Sequence, residues 1–138
     1  MRTLEEIDTA IERAAGAQDI MAGALDLMWA AEEVLEHWLL ATGRMPTEDT
    51  WEGFRLLALH RRSAKGDPSF NACRETCREI AYRFNVIAAD PGHAEARARL
   101  MMLGMVVRHL YLFVTGKMET EELGEFCCSS RPLRTNMD

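Results

Sequence analysis

A chain of 138 residues is long enough for one domain whose core needs neither disulfides nor a structural metal. Its 48% apolar and 28% charged residues exclude a disordered chain, and the net charge of −6 weighs against phosphate-rich partners. Met1-Arg2-Thr3-Leu4-Glu5-Glu6 turns acidic at once and lacks the apolar stretch of a signal peptide.

Leu100 to Val114 is the most apolar run, about one turn short of a membrane span, and it carries Arg108 and His109. A soluble, cytoplasmic protein without a membrane partner is expected. The four cysteines, Cys73 and Cys77 one helical turn apart and Cys127 beside Cys128, do not resemble a secreted disulfide framework and read as reduced thiols.

Pro46, Pro68, Pro91 and Pro132 punctuate the sequence, and the stretches between them show apolar spacing of 3.5 to 3.6 residues without strand alternation. The fold is expected to be all-α, an up-down antiparallel bundle of four main helices in a single domain over 1–128, with a flexible tail over 129–138. Leu4, Ile7, Ile11, Ala14, Gln18, Met21, Leu25, Met28, Glu32, Leu35 and Leu39 keep a 3,4,3,4 rhythm from the start. That seam suits one helix from Thr3 to Ala41, about 57 Å long, with a break possible where Gly16 precedes the cap Asp19.

An unbroken first helix would overhang its neighbours and leave Leu4, Ile7 and Ile11 uncovered. Burying three such side chains is worth about 5–8 kcal/mol, so these residues are the expected interface of a homodimer, or the arm docks onto a partner.

The second helix is expected over Glu48 to Ala64, capped by Thr47, with Trp51, Phe54 and Leu57 or Ala58 inward. Asp67-Pro68 should start a third, running to Ala89 with Cys73 and Cys77 in its core seam beside Phe70, Ile80 and Phe84. Asp90-Pro91 should start a fourth, from Gly92 to Thr115, apolar almost all round: either the central element of the bundle or a contact with a second subunit. A short amphipathic helix is expected over Thr120 to Cys128.

Charge is divided along the chain. Residues 1–50 hold eleven acids and three bases, residues 51–115 six acids and ten bases. The expected cause is that the acidic first helix packs beside basic helices and the charges partly compensate. Glu5, Asp8, Glu12, Asp19, Asp26 and Glu33 could also present an acidic strip to a basic protein partner. Nucleic-acid binding through Arg55, Arg61, Arg62, Lys65, Arg74 and Arg78 is disfavoured by Glu75 and Glu79, which interrupt that patch.

Motifs for chemistry are sparse. Glu33 and His37 share a helix face, but no Glu-x-x-His occurs, so a di-iron site is not expected; neither metal nor cofactor is. Arg55-Leu56-Leu57-Ala58-Leu59-His60 has an R-x4-H spacing that resembles the motif of the HEPN family of small helical ribonucleases. The resemblance implies a metal-independent ribonuclease acting through Arg55 and His60 at a dimer seam. The chain departs from the family pattern in having Leu56 after the arginine, where a polar residue is common, and in placing the pair in the second helix.

Nine methionines, notably Met21, Met28, Met101, Met102 and Met105, fit a Met-rich core, or could line an adaptable groove or a small apolar-ligand site between helices. The reading this sequence favours is a regulator or adaptor that binds another protein without catalysis, through Asp26, Trp29, Glu33 and His37.

Overall fold

The computed structural model describes residues 1–64 and 73–121, which form five helices and no strand. The order is α1 (Leu4–Ala15), α2 (Ile20–Ala41), α3 (Arg55–Ala64), α4 (Arg74–Ala89) and α5 (Ala96–Glu121). The expected helix start at Asp67-Pro68, the short helix to Cys128, the domain limit there and the tail after it all lie partly or wholly outside the described residues.

The first seam is two helices, not one. Thr3 opens α1 with a capping box: its side chain accepts from the Glu6 N–H while the Glu6 carboxylate accepts from the Thr3 N–H. Gly16 closes α1, and the Asp19 side chain caps α2 by accepting from the Ala22 N–H at 3.0 Å. The break lets α1 fold back, so Ile7, Ile11 and Ala14 enter the core of their own chain. This corrects the sequence expectation for Leu4, Ile7 and Ile11. Ile7 and Ile11 are fully covered within one molecule and Leu4 packs partly buried beside them, so the apolar edge that called for a second copy is satisfied internally. The energy expected from association is gained by a hairpin instead, at the cost of a few helical hydrogen bonds and one ordered turn.

That hairpin is tight because its contact points are small. A Cβ on Gly23 of α2 would lie 2.6 Å from the Ala14 carbonyl oxygen, and one on Gly104 of α5 would lie 2.6 Å from Ala15 Cβ. Ala14 and Ala15 thus seat α1 against both neighbours. Tyr111, whose hydroxyl donates to the Leu4 carbonyl at 2.9 Å, and the Arg108–Asp8 pair at 2.6 Å fix α1 antiparallel to α5.

α2 is the central element: it packs against all four other helices. Its buried row of Leu27, Ala30, Ala31, Val34, Leu35, Trp38 and Leu39 forms the middle of the core. α3 follows the second half of α2 in the same sense. Arg55 at its start reaches Glu32 and Glu36, while the carbonyls of Arg62 and Ser63 at its end accept from Arg44 just beyond α2. The segment 42–54 brings the chain back to allow this, so α2 and α3 do not form an antiparallel hairpin.

α3 starts at Arg55 rather than Glu48. Trp51 and Phe54 bond each other's backbone around Glu52 (φ 55°) and Gly53 (φ 87°), a tight turn that no helix can run through. Thr47 makes a local turn, its hydroxyl accepting from the Asp49 N–H, instead of capping. Trp51 consequently lies at the surface under Arg61, 3.7 Å from the ring centroid, while Phe54 meets Phe84 edge-on. α5 starts later than expected, at Ala96, because Asp90 to Glu95 forms turns in which the Glu95 N–H donates to His93 Nδ1.

α5 also runs through Thr115 and Gly116 to Glu121. Its stretch Ala96–Thr120 is long and apolar enough to cross a membrane by length and composition; a helix in a protein core meets the same criterion. One stripe of it, Leu100, Leu103, Val107, Leu110 and Val114, is fully buried.

Candidate partner-binding site

Of the four residues that the sequence singles out for partner binding, Asp26 and Trp29 are exposed, Glu33 is buried and His37 half-buried. Arg2 joins three of them. Its Nε donates to Glu33 Oε1 at 2.6 Å, its guanidinium carbon stacks 4.4 Å from the Trp29 ring centroid, and its carbonyl oxygen lies 2.8 Å from His37 Nε2, which must donate. Glu33, 3% exposed, therefore does not belong to an open acidic strip. It is the inner counter-charge that holds Arg2, and burial without that arginine would leave a carboxylate uncompensated. Of the other strip residues, Glu5, Glu12, Asp19 and Asp26 are exposed and Asp8 is paired with Arg108.

What remains on the surface is a compact patch. Trp29 (53% exposed) and Leu25 (54% exposed) stand one turn apart on α2, with Asp26 between them in sequence and Arg2 laid along the indole. Neither Leu25 nor Arg2 is marked by the sequence. Leu25 falls in the continuous-helix seam, and the role of Arg2 exists only once α1 has folded back.

Arg55 sits at the centre of a second charged cluster. Its guanidinium donates to Glu32 at 3.3 Å, Glu36 at 2.5 Å and Glu48 at 3.2 Å, and its Nε to the Thr47 carbonyl at 2.8 Å. Burial pushes the Glu32 carboxyl above its ordinary value, and the hydrogen bond and charge of Arg55 only partly oppose it. His60 is buried on α3, whereas Arg55 is committed to α2 and the 42–54 segment. Five residues along a helix separate the two by about 140° around its axis. The R-x4-H pair thus lies on different faces, and Arg55 makes structural contacts that an RNA phosphate would have to displace.

Of the other basic candidates, Arg78 pairs with Glu52 at 2.9 Å and Arg61 covers Trp51, whereas Arg62 and Arg74 are exposed. Lys65 lies outside the described residues. Cys73 and Cys77 are buried in the core as the seam spacing predicts, and burial pushes the Cys77 thiol up to about 12. Among the described residues no three His, Cys, Asp or Glu side chains gather to hold a metal ion.

No family model matches this chain, nor does any curated protein or solved structure.

A further surface feature lies between α1 and α5. An open groove of about 600 Å³ is floored by Ile11, Ala15, Gly104, Met101 and Met105, with Asp8 and Glu12 on one rim and Arg97 and Arg108 on the other. Both arginines are turned into the seam: Arg108 pairs with Asp8, and Arg97 donates to the carbonyls of Ala17 and Gln18 at 2.6 and 3.2 Å. Because the groove opens broadly to solvent, it offers less enclosure than small-molecule pockets normally provide.

Proposed function

We propose that this protein is a regulator or adaptor that binds another protein through the α2 patch of Leu25, Asp26 and Trp29, with Arg2 as its flanking cation. The observation that carries this reading is the half-exposed Trp29 with Arg2 stacked on it. Tryptophan and arginine dominate the energetics of protein interfaces, because a large rigid ring and a planar cation lose little entropy for the surface they bury. Here both are held in place beforehand: Arg2 by the buried Glu33, and Trp29 by Arg2. Leu25 extends the apolar surface by one helical turn, and Asp26 supplies a carboxylate at its edge. The partner that fits has an apolar pocket for the indole and a basic residue facing Asp26.

The test is affinity capture from the native host with three baits: wild type, Trp29→Ala and Asp26→Arg. Circular dichroism and thermal midpoints of the baits should agree, since both positions are exposed. A partner enriched by wild type and lost with both variants supports the proposal. Identical capture by all three, or capture of nothing by wild type, overturns it.

A further inference from the structure

On α5, Ala98, Met101, Met102, Met105, His109 and Leu112 share the side turned away from the buried stripe. Met105 is 65% exposed, Leu112 57% and Met101 55%. Not one Asp, Glu, Lys or Arg stands on this face over about four turns. The nearest charges leave it bare: Arg97 and Arg108 turn into the α1 seam, and an Arg99 nitrogen lies 3.4 Å from His93 Nε2. Solvated helix faces normally carry charge, and contiguous apolar patches on them mark contact surfaces.

We infer that this face is covered by a second copy of the chain, α5 packing on α5 across a two-fold axis near Met105. The face is self-complementary in two respects. It brings no fixed charge against its copy, so no ion is desolvated by pairing. Four of its residues are also disposed evenly about Met105: Met101 and His109 lie four positions before and after it and Ala98 and Leu112 seven, so antiparallel pairing sets the smallest side chain of one copy against the exposed leucine of the other. Met105 meets itself at the axis, where its flexible thioether adapts to the gap. A lipid surface is the weaker occupant, because the acidic α1 borders this face, Glu5 and Glu12 are exposed there, and the chain carries −6. The Trp29 patch lies about 200° around α2 from Leu27, which faces α5, so dimerisation leaves it accessible.

The experiment is the solution mass of the full chain by light scattering over a range of micromolar concentrations. Wild type should have twice the 15.6 kDa monomer mass. Met105→Glu and Leu112→Glu, both at exposed positions, should each weaken self-association at least tenfold with helical content unchanged, while Trp29→Ala stays dimeric. A wild-type mass of one chain throughout the range overturns the inference. So does a dimer that survives both glutamate variants, or a monomeric wild type that partitions onto phosphatidylcholine vesicles.

Discussion

Replacing Gly23 by alanine tests whether α1 is seated where the fold places it. In an unobstructed helix the change is favourable by about 1 kcal/mol, because alanine loses less backbone freedom on folding. At Gly23 the new methyl would stand 2.6 Å from the Ala14 carbonyl oxygen, 3.0 Å from Leu100 Cδ2 and 3.1 Å from Ala17 Cβ. Leu100 can change rotamer, but the carbonyl belongs to the last turn of α1 and moves only with the helix that carries Ile7 and Ile11. Overpacking of this kind costs about 1–3 kcal/mol, so the upper part of that range sets a net loss of about 1–2 kcal/mol. Gly116 provides the control: nothing lies within 4 Å of its added methyl, so Gly116→Ala should gain about 0.5–1 kcal/mol.

Urea titrations followed by far-UV circular dichroism, at one protein concentration, should separate the two variants by about 2 kcal/mol, or about 6 °C in thermal midpoint for a chain of this size. A Gly23→Ala protein as stable as wild type would refute the close seating of α1.

Cys77, its thiol pushed up to about 12 by burial, holds almost no thiolate at neutral pH. Peptide mapping after iodoacetamide treatment should find it unmodified in the native protein and alkylated in urea; equal modification in both would contradict its burial. Arg55→Ala should destabilise the protein by about 1–3 kcal/mol, since Glu32 and Glu36 lose their shared cation while remaining largely covered. An unchanged urea midpoint, with loss of an RNA-cleaving activity, would instead favour a catalytic role for Arg55.

Glu32 binds its proton more tightly folded than unfolded, where its ordinary value is 4.5. Its contribution therefore favours folding below pH 4.5 and is lost as the pH rises from there to the raised folded value. Glu32→Gln should flatten the stability profile in that interval, as read from urea midpoints across the weakly acid range; an unaltered slope would assign the burial of this carboxyl to the wrong group.

Local signals carried the secondary structure wherever the cause was local. The Thr3–Glu6 capping box, the Asp19 cap and the periodic apolar rows of α2, α4 and α5 are written in contiguous residues, and so is the core position of Cys77. The spacing did not distinguish a rod from a hairpin at Gly16, because a 3,4 seam continues in phase across a short turn and serves either. The loss of helix at Glu52-Gly53 was equally hidden, since a positive φ is chosen when Trp51 and Phe54 pair across the turn.

The sequence by itself determined that this chain is helical, where most of its helices lie and which rows of side chains must leave water, because periodicity and caps act within a few residues. Only the tertiary structure decided what covers those rows. It took Ile7 and Ile11 from the edge proposed for a dimer into the core, turned Glu33 from a surface charge into the anchor of Arg2, and left Trp29 and the Met105 face outside. Those outcomes depend on contacts between segments far apart in the chain, where small residues such as Gly23 and Gly104 set how closely helices approach. No local pattern encodes such a distance.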